Sequence, residues 1–203
     1  MKRLPIISTV IVALAVITMI ALGVWQLQRR GEKETELRVL AANPSKPVMA
    51  FPNPPVGGDE LLFRRAGAFC LKPVSFSTEG AGKAGFRILA QCATGVEGPG
   101  FAVQLGTTSD PHFKPDWSGG QVSGTIAYAP SGTPLIERLF EGRKAQTLIL
   151  VADRPAPGLQ PNVMPSIDSI PNNHLAYAVQ WFLFAAIALV IYGLALRRRA
   201  RKG

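Results

Sequence analysis

The chain has 203 residues, enough for one domain with additional segments, and a formal net charge of +9. Seven of its 22 basic residues lie at the two ends, at positions 2–3 and 197–202, so the other 15 nearly balance the 13 acidic residues. This distribution excludes a basic nucleic-acid-binding face, and we expect no nucleic-acid partner.

The first apolar segment, residues 4–25, contains no charged residue. As a helix it would be about 33 Å long, enough to cross a hydrocarbon core of about 30 Å. A cleaved signal peptide is the alternative, because Lys2 and Arg3 precede the segment and Ala21-Leu22-Gly23 resembles a cleavage site. Signal-peptide cores are shorter, about 7–15 residues. We therefore predict a cytoplasmic N-terminus (1–3) and a transmembrane helix (4–25).

Residues 26–173 are predicted to form an extracytoplasmic, β-rich domain. Apolar and polar residues alternate through 86–92, which is typical of a strand. Similar runs occupy 61–72, 101–105, 122–128 and 147–152, with Gly- and Pro-containing turns between them. Residues 43–60 are Pro-rich and are predicted to be an extended connection. The predicted fold class is an α+β membrane protein whose outer domain is a small antiparallel sheet or partly closed barrel, with one short helix at Pro134–Glu141.

Two cysteines, Cys70 and Cys92, lie in this outer domain, where an oxidising compartment permits a disulfide. If their strands pair antiparallel about residue 81, the two cysteines lie opposite one another. Two free, buried cysteines remain the alternative. The domain has no metal-binding Cys/His spacing and no catalytic motif, and His112 is predicted to be a solvated loop residue. The outer domain therefore offers little chemistry, and the function has to be sought at the membrane boundary; the chain as a whole is expected not to be an enzyme.

The second apolar segment, residues 174–196, follows Asn172 and Asn173, either of which can cap a helix. A buried helix of a soluble protein is the alternative. However, five basic residues follow in the tail, 197–203, as they do on the cytoplasmic side of a membrane. We therefore predict a second transmembrane helix (174–196), with both termini cytoplasmic.

One face of the second predicted helix combines a histidine, two aromatic residues and small residues. Its members are His174, Tyr177, Ala178, Trp181, Ala185 and Ala188. The small residues leave a shallow groove, flat enough for a planar macrocycle, and neutral imidazole is an axial ligand of haem iron. The alternative is an aromatic belt, because Trp, Tyr and His commonly lie at the level of the lipid headgroups.

Two sequence stretches resemble the two signatures of the surfeit locus protein 1 family. They are LGVWQLQRRGEK (22–33) and IPNNHLAYAVQWF (170–182), each attached to an apolar segment and in the family's order. The resemblance implies a multi-pass protein of the bacterial inner membrane with a periplasmic domain. It also implies an assembly factor for haem a-type cytochrome c oxidase that binds haem a and assists its insertion into subunit I. Haem a synthase is a further partner that the resemblance suggests.

The resemblance also marks the residues expected to bind the cofactor. They are Trp25, Gln26, Arg29, Tyr177, Trp181 and His174, with His174 as the ligand of the haem iron. Arg29 would pair with a haem propionate, unless lipid phosphate or the neighbouring glutamates compensate its charge. Gly23 would allow the two helices to approach closely.

The sequence departs from the family pattern at two places. Gly31-Glu32 stands where the family often has a bulky aromatic residue, and LGTTSDP (105–111) lacks a frequent Gly-Trp pair. A haem-free scaffold that holds subunit I or the haem a-synthesising enzyme is the alternative function. A b-type electron carrier would need a second ligand, and His112 is the only other histidine.

Overall fold

Two long helices, α1 (Ile6–Ala41) and α2 (His174–Arg201), stand at the two ends of a chain whose middle forms seven strands. The computed structural model describes residues 6–95, 99–130 and 147–201. The chain divides into two compact units, residues 1–37 with 170–203 and residues 38–169. The predicted α+β class, with apolar helices on both sides of a β domain, is confirmed. The predicted helix Pro134–Glu141 lies outside the described residues.

Helix α1 is much longer than its apolar part. Its 36 residues extend over about 54 Å, and they continue as helix through the charged residues up to Ala41. Pairs of opposite charge three or four positions apart support this polar half. They are Arg29–Glu32, Arg30–Glu34 and Lys33–Glu36, with N–O distances of 2.6, 2.6 and 3.0 Å. The sequence predicted a transmembrane helix at 4–25 and did not predict this polar continuation of about four turns.

Both helices qualify as candidate membrane spans by length and composition. Only 11% of the most apolar window of the first helix, and 6% of that of the second, is buried within the protein. A core helix of a soluble domain would be mostly buried. The apolar surface of these helices is therefore exposed, which is consistent with a membrane protein.

The strands form a single seven-stranded sheet in the order β1-β2-β6-β7-β5-β4-β3. Two of its pairings, β1 with β2 and β5 with β7, are parallel, so the sheet is mixed rather than wholly antiparallel. The chain returns to insert β7 between β5 and β6, and pairing antiparallel to β6 leaves β7 parallel to β5. The strands are β1 (Met49–Ala50), β2 (Arg65–Cys70), β3 (Lys72–Gly80), β4 (Phe86–Ala93), β5 (Pro99–Thr108), β6 (Gly120–Tyr128) and β7 (Leu148–Ala152).

The sheet curls because β2 and β3 are consecutive in the chain yet distant in the sheet. Only Leu71 separates them, although β3 is an edge strand and β2 lies next to the opposite edge. The backbone N–H of Leu71 donates to the carbonyl oxygen of Ala93 at 2.9 Å, which joins this junction to the end of β4. Among the described strands no hydrogen-bond ladder closes the ring, and the sheet remains open.

A disulfide joins Cys70 to Cys92 at this junction, with a Cα–Cα distance of 5.2 Å and both residues fully buried. The route to this pairing differs from the predicted one. Strand β2, which carries Cys70, pairs with β6, while Cys92 lies opposite Pro73 in the β3–β4 hairpin. The disulfide therefore holds the point where the chain passes from one side of the sheet to the other.

The core of this unit is centred on β7, whose five residues are all buried. Leu150 pairs with Val103 of β5 and Ile126 of β6, and none of these three side chains is exposed to solvent. On the other face, Ile149 and Val151 form a second buried cluster with Leu89 and Ala102. The central strand is thus covered on both faces, which explains its uninterrupted apolar sequence.

The Pro-rich tract before β2 packs on the domain instead of forming an extended connection. Asn43 is fully buried, and its side-chain amide donates to the carbonyl oxygens of Glu60 and Leu62 at 2.8 and 2.7 Å. The hydroxyl of Tyr128 donates to the carboxylate of Asp59. Burial of Tyr128, together with this bond, raises its pKa to about 12. Paired polar side chains therefore tie the tract to the sheet.

We predict that the double substitution Cys70→Ala/Cys92→Ala lowers the free energy of unfolding of the outer domain by about 3 kcal/mol, because a cross-link over a loop of this size restricts the unfolded chain. Denaturant titration, followed by a probe of the β domain, measures the change. A reducing agent should destabilise the original chain and leave the double variant unaffected. Two free thiols in the non-reduced, folded protein would contradict the pairing.

Candidate functional site

In the unit formed by the two apolar helices, each helix has one shielded face. The shielded residues of each helix recur mainly at alternating spacings of three and four, the pattern of two helices packed side by side. We call these two faces together the seam. On α1 the seam consists of Thr9, Val12, Val16, Met19, Leu22, Gly23 and Gln26, and on α2 of His174, Ala178, Trp181, Ala185, Ala188, Tyr192 and Leu196.

Hydrogen bonds join the helices near both ends of the seam. Gln26 Oε1 lies 2.8 Å from His174 Nδ1, and the hydroxyls of Thr9 and Tyr192 lie 2.6 Å apart. Thr9, near the start of α1, meets Tyr192 in the second half of α2, whereas Gln26, further along α1, meets the first residue of α2, so the helices run antiparallel. These bonds are valuable in an apolar environment, where an unpaired polar group has no water to bind.

Small residues occupy the middle of the seam. Ala178 and Ala185 are only 1% and 4% exposed, although most of α2 is exposed. A Cβ atom on Gly23 would lie 2.6 Å from the ring of Phe182, which is closer than two carbon atoms can approach. Gly23 is therefore in direct contact with α2, as the sequence predicted from its position.

His174 is the first residue of α2 and is half-buried. Gln26 presents an amide oxygen to Nδ1, and in a neutral imidazole this contact places the proton on Nδ1 and the lone pair on Nε2. Among the described residues Nε2 has no hydrogen-bond partner. Asn172, two positions earlier, has a buried side-chain oxygen that also lacks a donor in the described part of the chain. The start of α2 therefore offers one free ligand atom and one free buried acceptor.

The aromatic residues predicted for the site are placed differently from one another. Trp181 is on the seam and contacts Phe184 edge-to-face, with 6.2 Å between the ring centroids. Tyr177 and Trp25 are 51% and 49% exposed, and they lie off the seam. The one-face stripe predicted for α2 thus holds for every member except Tyr177, which is turned toward the outer surface of the helix pair.

In the part of the chain that the structure describes, Arg29 makes no hydrogen bond or ion pair with His174. Its guanidinium pairs with Glu32 one turn further along α1, and both side chains are more than half exposed. This geometry corresponds to the alternative in which neighbouring glutamates compensate the positive charge. An exposed pair of this kind contributes only about 0–1 kcal/mol, so Arg29 can exchange its partner at little cost.

Sequence reasoning missed the contact at the other end of the seam. Thr9 and Tyr192 are polar residues inside apolar segments, at the same helical spacing as the other seam residues. A polar residue in a membrane span tends to face a partner helix, and this signal could have identified the pair. Phe182, whose ring lies against Gly23, could not have been distinguished from the lipid-facing aromatic residues around it.

The outer domain provides a weaker candidate for a site. One open cleft of about 270 Å³ is lined by residues that include Leu89 and Ile149. Another, of about 430 Å³, is lined by residues that include Phe51 and Phe69. The described residues include no cluster of three metal-ligating side chains. His112 is exposed in a turn, where its backbone N–H donates to the Asp110 carboxylate at 2.9 Å.

The family model described as the SURF1 family matches residues 13–186, which include most of α1, the first 13 residues of α2 and the whole outer domain. The match covers both sequence stretches discussed above, with Gln26 and His174 inside it. No curated protein matches the chain.

We predict that Gly23→Leu loosens the helix pair, because the added side chain meets the ring of Phe182. Overpacking costs about 1–3 kcal/mol. Cysteines introduced at Thr9 and Tyr192 should be bridged by a short bis-maleimide, and Gly23→Leu should lower the yield. Gly193→Leu is the matched control, since a Cβ atom there meets no atom within 4 Å. Equal yields in the two variants would contradict close packing at Gly23.

Proposed function

The chain belongs to the SURF1 family, which is associated with cytochrome oxidase assembly, and on this premise we propose that it is a membrane-bound assembly factor that binds haem a. In this proposal haem a binds at the end of the helix pair where Gln26 meets His174, and the chain assists its insertion into oxidase subunit I. The protein acts by binding and transfer rather than by catalysis. The observation that carries the proposal is the free Nε2 atom of His174 at the start of a candidate membrane span.

The residues around His174 suit an iron porphyrin. When bound, haem a supplies an iron atom that accepts an imidazole nitrogen as axial ligand. His174 would provide that nitrogen through Nε2, and Trp181 would provide an aromatic surface beside it. His112 is an exposed residue of the other unit, and nothing in the structure makes it a second ligand. A single protein ligand suits a carrier that must give the haem up.

Arg29, Trp25 and Tyr177 have secondary roles in the proposal. Arg29 would exchange Glu32 for a haem propionate, an anion that guanidinium can bind with two parallel hydrogen bonds. Trp25 and Tyr177 are half-exposed, so they can contact either the macrocycle or the lipid headgroups. The buried oxygen of Asn172 adds an acceptor for a donor group of the ligand or for water.

The haem-free scaffold remains the second candidate, and two observations favour it. Arg29 already has an anionic partner, and Trp25 and Tyr177 are placed as aromatic anchors of a membrane protein would be. In this version the chain holds subunit I or haem a synthase through protein contacts alone. The two functions make opposite predictions for the haem content of a His174 variant.

The proposed location is the bacterial inner membrane, with residues 1–3 and 197–203 in the cytoplasm and the domain between the spans in the periplasm. The basic residues beyond both spans support this orientation. We predict that a reporter active only in the cytoplasm is active when fused after Gly203 and silent when fused after Pro130. The reverse pattern would contradict the proposed orientation.

We predict that His174→Ala inserts and folds normally but loses most bound haem a when the protein is purified in detergent from cells that make haem a. Loss of the imidazole removes the bond to iron that the proposal assigns to this chain. Trp181→Ala should weaken binding less, since an aromatic contact contributes about 1 kcal/mol, and Arg29→Ala should lie between the two. Absorption spectra measure the occupancy.

The matched control for this experiment is His112→Ala, which removes the other histidine and should retain haem at the original level. Wild-type occupancy with an unchanged spectrum in His174→Ala would exclude the ligand assignment. The scaffold function would then be preferred.

A further inference from the structure

The hydrogen bond between Gln26 and His174 connects residues 148 positions apart, one from each helix. Both side chains are half-buried on the seam. We propose that Gln26 is a positioning residue that holds His174 as the Nδ1–H tautomer and so leaves Nε2 as the ligating atom. This inference rests on the proposed function. It assigns to Gln26 a contact with the iron-binding histidine rather than with the haem itself.

The chemistry of imidazole makes such a partner necessary. A neutral imidazole has one N–H and one nitrogen with a free lone pair, and only the latter can bind iron. In water the Nε2–H tautomer is the more populated, and in that tautomer Nε2 has no free lone pair for iron. An acceptor at Nδ1 reverses the preference and also makes Nε2 more basic. Gln26 Oε1, at 2.8 Å, is the acceptor that the structure supplies.

No other described group competes for this role. The unpaired side-chain oxygen of Asn172 is close in sequence but makes no hydrogen bond to the imidazole. The neighbouring glutamates are held by Arg29, Arg30 and Lys33. Tyr177, the next polar side chain of α2, has no hydrogen bond to His174. The tautomer therefore depends on a residue that belongs to the other helix.

This dependence links the ligand to the packing of the seam. Gly23 lies three residues before Gln26 and is in contact with Phe182 of α2, so the two helices approach closely one turn from the hydrogen bond. If the helices separate, Nδ1 loses its acceptor and the tautomer with the proton on Nε2 becomes the more populated. His174 is then a poorer ligand although no residue of the site has changed.

The tautomer can be measured directly in the haem-free, full-length protein. In a His112→Gln background His174 is the only histidine, and its two ring nitrogens are resolved by ¹⁵N NMR above about pH 8, where imidazole is neutral. The expected result is a protonated Nδ1 in the otherwise unaltered chain and a predominantly protonated Nε2 in Gln26→Leu. Tyr192→Phe, which removes the distant interhelical bond, is the control and should retain the protonated Nδ1.

Haem titration of the same variants provides the second readout. Gln26→Leu should bind haem a about 10- to 100-fold more weakly, the usual effect of removing a partner of a metal-ligating histidine. Gln26→Glu restores an acceptor, so it should recover affinity and lower the reduction potential of the bound haem. An equal loss of haem affinity in Gln26→Leu and Gln26→Glu would show that Gln26 acts only through packing.

The two assignments fail in distinguishable ways. Haem retained in His174→Ala would overturn the proposed function. An unchanged tautomer in Gln26→Leu, or a protonated Nε2 before any substitution, would overturn the role of Gln26 while leaving His174 as a candidate ligand. Because the NMR comparison uses no haem, it decides the positioning role independently.

Discussion

The close approach of α1 and α2 at Gly23 is the constraint on which the candidate site depends. The ring of Phe182 occupies the space where any other residue would have its Cβ atom, and the nearly fully buried Ala178 and Ala185 continue the same close packing along α2. Interhelical hydrogen bonds are short-range and require such an approach. The small residues of the seam therefore let the helices approach closely enough for Gln26 to contact His174. That contact, in turn, leaves the Nε2 atom free.

The outer domain depends on a different constraint, which is the single residue between β2 and β3. Leu71 carries the chain from one side of the sheet to the other, so the sheet must curl, and the disulfide between Cys70 and Cys92 fixes the position of this junction. The buried strand β7 then fills the middle of the sheet. The cross-link is placed where the fold has only a short connection to hold the two sides of the sheet together.

Local features of the sequence predicted the structure well where local interactions decide it. The apolar segments predicted both helices, and the alternation at Phe86–Cys92 predicted β4. The helical spacing from His174 to Ala188 predicted most of the seam on α2. The polar continuation of α1 was missed because its stabilisation comes from ion pairs, whereas the prediction followed hydrophobicity. The same pairs give Arg29 a local partner.

Features that depend on contacts between distant parts of the chain were harder to predict from the sequence. The antiparallel prediction could not include the return of β7 between β5 and β6, since nothing in either strand specifies its neighbour. The pairing of Cys70 with Cys92 was expected from a direct hairpin, but it arises from the junction at Leu71. The placement of Tyr177 off the seam shows the same effect on α2, because a stripe on one helix does not reveal where the partner helix lies.

The position of Gln26 and His174 at opposite ends of the chain has a consequence for biogenesis. A ribosome completes α1 long before it reaches His174, so the emerging protein carries half of the site while the whole outer domain is still being made. The imidazole then meets its acceptor only when α2 packs beside α1. Under the proposed function, a chain that still lacks α2 would present no imidazole to the iron, and haem a would be withheld from unfinished copies without any separate quality-control step.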